Sequence, residues 1–540
     1  MRKIVVIKFL SLCFFLILLT ACGHSAEPSS AQEKSTGQDV KDELTLAIGG
    51  EPDEGFDPTT GWGRYGSPLF QSTLLTFDQD FEIRNDLAVR YEVSEDGLEW
   101  KVNIRNDVKF SDGEPLTAKD VVFTFNTAKS SASIIDLTNL EKVEALDDQS
   151  IRFTLKHPQS TFIYLLASMG IVPEHAYTDS YNENPIGSGP FELVQWNKGE
   201  QLIVQANPYY YGKQPFFKKL NFVFLSEDAA FAAAKAGEVD VAAVTSVFAK
   251  EDITGMHLVE LESADNRGIM LPYVHERKLE DGTLIGNNVT ADQAIRKALN
   301  IAVDRQELVD GILEGYGTPA YSVADQLPWW NPDTVFEDGR MDAAKEMLEK
   351  AGWKIGKEGI REKNGLKAEL TLLYPAGDQM RQSLSLAFAD MVRPLGISIK
   401  TEDKSWNDLE RLMHANPVMM GWGSHDPLEM YYIYSGDTRG EGFYNANYYK
   451  NPVVDEYLNK AIKANDQDEA KAFWQKAQWD GKTGFSVEGD APWVWLVNLK
   501  HLYFVRNGLE IGEQKIQPHG HGWPVTDFIE EWYWKDEEDV

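Results

Sequence analysis

Residues 93–125 read VSEDGLEWKVNIRNDVKFSDGEPLTAKDVVFTF. Within them, LEWKVNIR (98–105) alternates apolar and polar side chains, which predicts a strand with one buried face. Asp112-Gly113 marks a tight turn. Thr117 followed three residues later by Asp120 approximates a capping box, with Asp shorter than the usual Glu or Gln, and predicts a helix over TAKDVVFTFNTA. Another strand, DQSIRFTLK, follows at 148–156. Strand, turn, helix and strand in such a short span predict a mixed α/β chain.

Upstream, Arg2, Lys3 and Lys8 precede an apolar run, FLSLCFFLILL (9–19), and then LTAC, Leu19 to Cys22. A basic start, a short apolar core and small residues before a cleavage point describe a secretory signal. The run falls short of the roughly 20 apolar residues of a comfortable span, although an uncleaved anchor is the other reading. Residues 23–43, GHSAEPSSAQEKSTGQDVKDE, are small and polar and predict a flexible tether. ELTLAIGG (43–50) then opens the folded body as an alternating strand.

The chain has 540 residues, enough for roughly two to four domains. Its net charge of −33 disfavours nucleic acid and anionic lipid as partners. Of its two cysteines, Cys13 and Cys22, only Cys22 survives cleavage, so the mature chain has no disulfide and no thiolate metal ligand. Sequences of the HExxH, GxSxG and Walker type are absent, so the chain offers no placed catalytic constellation and is read as a non-enzyme.

Further along, EDAAFAAAKAG (227–237), ADQAIRKALNIAV (291–303) and DAAKEMLEKAG (342–352) carry helical apolar spacing, the last ending on Gly352. Four stretches, taken in order, resemble the extracellular solute-binding proteins of peptide and nickel ABC importers, family 5. They are residues 93–125, PIGSGPFEL with NPYYYG (185–212), IRKALNIAVDRQELVDGILEGYGTPA (295–320) and DAAKEMLEKAGW (342–353). LTAC also resembles a bacterial lipobox, in which Cys22 is lipidated.

The resemblance implies a bilobed, three-domain, periplasmic-binding-protein-like α/β fold of type II, with the ligand cleft between lobes. The expected divisions are a signal peptide (1–21), lipidated Cys22 and linker (22–43), domain I (44–68, 187–285 and 506–540), domain II (69–186) and domain III (286–505). It further implies a monomer anchored by lipid on the extracytoplasmic face of the cell membrane, delivering its ligand to a permease driven by a separate ATPase.

In the peptide-binding members that this chain resembles, an aspartate three places after the tryptophan of a GWxxD-type motif holds the ligand's α-ammonium, and an arginine after a strand holds its carboxylate. Arg381 in LTLLYPAGDQMRQSLSLAFADMV (370–392) matches the arginine, and a guanidinium suits a carboxylate. In GWGSHDP (421–427), however, Trp422 plus three is His425, with Asp426 one place later. An imidazole is a poor ammonium partner, which argues for a ligand with no free ammonium there; a slip of one residue restores Asp426 as the anchor. QPHGHGWP (517–524) sets His519 and His521 on the same side of an extended segment, a pattern that suits a metal. Trp62, Arg64 and Tyr65, in EPDEGFDPTTGWGRYGSPLFQSTLL (51–75), are further candidates for stacking on a planar chelate or pairing with a carboxylate. LLASMGIVPEHAY (165–177) lacks an arginine that some nickel receptors carry and reads more like the peptide branch. The preferred expectation is nickel captured as a small-molecule chelate, for example with free histidine; the alternative is a di- or oligopeptide.

Overall fold

The opening alternation forms the strand Glu43–Ala47, whose Leu44 and Leu46 are buried at 1% and 0% exposure. Removing each such side chain from water contributes about 1.5–3 kcal/mol. The structure, a computed structural model, describes residues 41–131, 135–520 and 522–535. The signal segment, Cys22, most of the linker and His521 lie outside the described residues, and from Asp42 onward the chain is one compact unit.

Glu43–Ala47 lies in a seven-stranded sheet. It runs parallel to Lys219–Val223 on one side and Val241–Val244 on the other. Beyond Val241–Val244 come His501–Arg506 and then Met256–Leu261; beyond Lys219–Val223 come Gln201–Ala206 and Phe191–Asn197. Leu46, Leu220, Val241 and Val505 pack on one face, and Ala242 and Phe504 pack with the alanine-rich helix Glu227–Ala236 on the other. Ser226 caps that helix by accepting the Ala229 N–H, and Gly237 ends it in the left-handed conformation.

A six-stranded sheet follows the order Gly317–Pro319, Trp493–Leu499, Asn266–Met270, Val418–Met420, Glu369–Pro375 and Ser398–Lys404. The last two are parallel over seven residue pairs, and the helix Gln379–Val392 makes the crossover that a parallel pair requires. Helices Gln293–Ala302, Arg305–Ile312 and Met341–Lys350 pack on the same core as that helix. Arg305, fully buried, ties it together by donating to the carbonyl oxygens of Ala320, Trp495 and Asn300.

The stretch at 93–125 builds a third sheet. Ala88–Val93, Glu99–Ile104, Ser150–Leu155 and Leu140–Ala145 are antiparallel in that order, and Ala118–Ser130 covers them. The capping box forms as read: Thr117 caps the helix and Asp120 accepts the Thr117 N–H at 2.9 Å. Gly113 takes the left-handed conformation at the expected turn.

Sheet membership changes hands twice, between Leu261 and Asn266 and between Leu499 and His501, rather than at the expected boundaries of 285 and 505. The two crossings lie side by side: the Leu499 N–H donates to the Asp265 carbonyl at 2.8 Å, and the Ser263 hydroxyl to the Leu499 carbonyl at 2.5 Å. The segment at Gln517 joins them, its N–H reaching the Glu262 carbonyl and its carbonyl accepting from Ala264. Sequence periodicity does not reveal these crossings, because they are short, irregular and paired across more than 200 residues.

Candidate functional site

A cavity of about 480 Å³ is walled by residues 62–86, 135–168, 190–211, 424–444 and 515–530. The first wall is the loop after Glu43–Ala47. Asp57 starts its 3-10 turn by accepting the Thr59 N–H at 2.8 Å, and Tyr177 donates to its other oxygen at 2.6 Å. Gly66 has a φ of 133° and lies against Pro524; a Cβ there would come within 2.9 Å of the Pro524 Cα. Ser67 N–H donates to Asp527 at 2.5 Å, which pins the loop and presents Arg64 to the cavity.

Trp62 lines this wall while its indole donates to the Pro68 carbonyl and packs edge-on against Phe56 and Trp523. Arg64 lies 5.1 Å from the Tyr65 ring centre and reaches the Tyr444 hydroxyl at 3.5 Å. Tyr65 itself is not on the wall.

The opposite wall is the GWGSHDP segment, which leaves the strand Val418–Met420 and enters the helix Leu428–Tyr434. Gly423 has a φ of 147°, and a Cβ on it would run into the Ala264 carbonyl. That close approach fixes the loop. The Trp422 ring stacks on Tyr444, 4.7 Å between centres, behind the wall rather than on it.

His425 is on the wall but is not poised as a ligand group. Its Nε2 donates to the Ile516 carbonyl at 2.8 Å and its ring meets Phe81 edge-on at 4.6 Å. Burial, helped by the Lys515 cation, pushes its pKa down to about 3, so the ring is neutral. Asp426, beside it, faces the cavity and caps the helix entrance by accepting the Leu428 N–H at 2.8 Å. Burial pushes Asp426 up to about 7, against the pull of Leu428 and Arg64.

Sequence reasoning missed several wall residues. Glu429 accepts the N–H groups of Gly423 and Ser424 and is likewise pushed up to about 7 by burial. Lys515 pairs with Asp527 at 2.6 Å, close to the rings of Phe77 and Phe528. Asp86 accepts from the Tyr211 hydroxyl, and burial raises it to about 6; Glu530 is raised to about 7 by burial and by neighbouring acids. Seven carboxyl side chains and two cations, Arg64 and Lys515, line the cavity, so its field favours a cationic group on the ligand.

The remaining candidates lie elsewhere. Arg381, in the first turn of Gln379–Val392, pairs with Asp378 and is not on the cavity wall. His519 bonds Asp265 at 2.5 Å, and His501 and Arg267 approach the same carboxylate. Burial opposes the Asp265 charge, but Arg267, His519 and His501 outweigh it and hold the carboxyl well below its usual range. His519 therefore sits in an ion cluster at the sheet crossing instead of on the wall. Among the described residues, no group of three or more His, Cys, Asp or Glu is arranged to hold a metal ion, and no helix is long and apolar enough to cross a membrane.

A cavity of this size, with convergent charges from segments more than 450 residues apart, has the character of a ligand-binding site. The chain belongs to the bacterial extracellular solute-binding proteins, family 5, whose description matches residues 82–443. Protein XP55 of Streptomyces lividans is 33% identical over 485 residues, covering 86% of this chain and 85% of its own. The oligopeptide-binding protein AppA of Bacillus subtilis is 27% identical over 546 residues, covering 95% of each. Among solved structures, NikZ of Campylobacter jejuni in complex with Ni(L-His) matches with a TM-score of 0.74 and 26% identity, over 92% of this chain and all of that one. The fold is thus the bilobed α/β fold of this family. The protein is a substrate-binding component of an ABC importer, extracytoplasmic, in a family of transport proteins rather than enzymes.

Proposed function

We propose that the cavity receives a peptide-type ligand with a free amino terminus. The observation that carries this reading is the placement of Asp426 and Arg64 on one cavity while His425 turns its proton to Ile516. Asp426 takes the α-ammonium, the role expected of it under the shifted register. Arg64 and Lys515, rather than Arg381, meet the ligand's carboxylate or carbonyl oxygens. The likeness to AppA, named as oligopeptide-binding, supports the same class of ligand.

Nickel chelate is the second reading, favoured by the likeness to the Campylobacter protein solved with Ni(L-His). His425 is the histidine on the described cavity wall, and its Nε2 is already engaged, which makes this reading the weaker one. Calorimetry on the mature protein decides between them. Di- to pentapeptides titrated in chelator-containing buffer should give saturable heat, and nickel with free histidine should give none; the opposite pattern overturns the peptide reading.

The same proposal includes attachment by lipid at Cys22, a monomeric three-domain receptor and delivery to a permease with its ATPase.

A further inference from the structure

Asp527 joins two segments of the cavity wall through one carboxylate. Its Oδ1 accepts the Ser67 N–H at 2.5 Å and so holds the loop that carries Arg64. Its Oδ2 lies 2.6 Å from the Lys515 Nζ. The side chains of Lys515 and Asp527 are 8% and 2% exposed, yet both residues line the cavity. The rings of Phe528 and Phe77 lie 5.3 and 5.8 Å from the Lys515 ammonium, so the pair sits in largely aromatic surroundings.

One carboxylate therefore governs both cations of the wall, in opposite senses. Arg64 is held from behind, through the main chain, and its own hydrogen-bond partner among the described residues is the Tyr444 hydroxyl rather than a carboxylate. Lys515 is met directly, and its charge is cancelled where it stands. A ligand carboxylate brought to Lys515 would share that cation with Asp527 and set two like charges side by side in a desolvated wall, which is unfavourable. A neutral carbonyl oxygen brings no such repulsion. An ammonium has three N–H donors, of which Asp527 needs one.

We propose that Asp527 is a specificity-determining residue: by cancelling Lys515 while it holds the Arg64 loop, it leaves Arg64 as the cation open to a ligand carboxylate and turns away peptides with an acidic side chain. Lys515 is left to neutral oxygens. Naming the ligands as peptides rests on the reading above; the pairing argument does not.

The test is calorimetry on the mature protein. The probes are tri-L-alanine and tripeptides in which glutamate or lysine replaces one alanine, at each position in turn. In wild type, every glutamate peptide should bind about tenfold or more weakly than tri-L-alanine. Asp527→Asn keeps an oxygen for the Ser67 N–H and unmasks Lys515. The glutamate peptide whose side chain reaches Lys515 should then gain about tenfold relative to tri-L-alanine. Lys515→Met, added to that variant, should erase the gain. Asp136, a wall carboxyl bonded to the Tyr432 hydroxyl, controls for the general field: Asp136→Asn should give a much smaller gain. In Lys515→Met alone the unmasked charge is that of Asp527, so the lysine peptide of the same position should gain instead. That variant carries the test if Asp527→Asn does not fold.

An equal gain in Asp136→Asn, or no gain in either Asp527→Asn or Lys515→Met, overturns the proposal and leaves the peptide reading standing. Millimolar n-butyrate isolates the other failure. It should raise the unfolding temperature of Asp527→Asn, but not that of wild type or the double variant, whether or not peptides bind. That result without binding of any tripeptide overturns the peptide reading alone, and neither result overturns both.

Discussion

The Nε2–H of His425 donates a 2.8 Å hydrogen bond to the carbonyl oxygen of Ile516, 91 residues away. The ring is thereby fixed as a neutral strut between the cavity wall and the C-terminal segment. Its folded pKa of about 3 lies below the usual 6.5. Between those values the unfolded chain binds a proton that the folded chain does not, so the stability this group contributes is present above pH 6.5 and is lost as pH falls toward 3. Urea unfolding of wild type and His425→Gln should therefore show a gap that narrows on acidification, by about 1 kcal/mol between pH 6.5 and 5.5. A gap that stays constant from pH 8 to 5 would mean that the imidazole is solvated and protonates normally.

Arg64 stands on the cavity wall, within 3.5 Å of Tyr444 and in the field of Glu429 and Asp426. Arg64→Ala should weaken ligand binding by about 2 to 4 kcal/mol, as expected when one partner of a desolvated charge pair is removed. Arg381→Ala should leave affinity within twofold. Calorimetry with the tightest peptide of the pool checks both. The reverse ranking would return the carboxylate role to Arg381.

Gly423 is confined by its φ of 147° and by the Ala264 carbonyl. Gly423→Ala should cost about 2 kcal/mol or more of stability and displace the amides that hold Glu429. The check is thermal unfolding together with peptide affinity. Wild-type values for both would show that the loop has another conformation of equal energy.

Arg305 is fully buried and meets three main-chain carbonyls and Asp338. Arg305→Met fills most of the volume but strands those acceptors, and should destabilise by about 3 to 5 kcal/mol in urea unfolding. A loss below 1 kcal/mol would mean that water replaces the guanidinium without cost.

Cys22→Ala should move the protein from the membrane fraction to the soluble one if the lipobox reading is right, because lipid at that residue is the proposed anchor. Fractionation followed by immunoblotting reads this directly. Full retention of the variant on the membrane would remove the lipoprotein proposal.

Legibility in the sequence follows the span of the contact. The Thr117–Asp120 capping box is readable because three residues separate its partners, and so is the strand at Glu99–Ile104, whose alternation is intrinsic. Glu429 is readable as a candidate, since it lies three residues after Asp426, in the first turn of the helix that GWGSHDP enters. The engagement of His425 is not, because its partner Ile516 is set by tertiary packing. The His519 cluster likewise depends on Asp265, 254 residues earlier, so nothing local to QPHGHGWP shows that His519 joins a buried carboxylate. Lys515 and Asp527 lie in a segment with no periodicity, and nothing local marks them.

The strand Glu43–Ala47 is the first element among the described residues, yet the sheet around it needs His501–Arg506, which pairs with Val241–Val244 next door. A chain delivered amino terminus first cannot complete this sheet until more than 450 further residues have arrived. Such long loop closure is slow. His501–Arg506 is the last strand of this sheet in chain order, so the sheet that carries the first cavity wall closes only when nearly the whole chain is available.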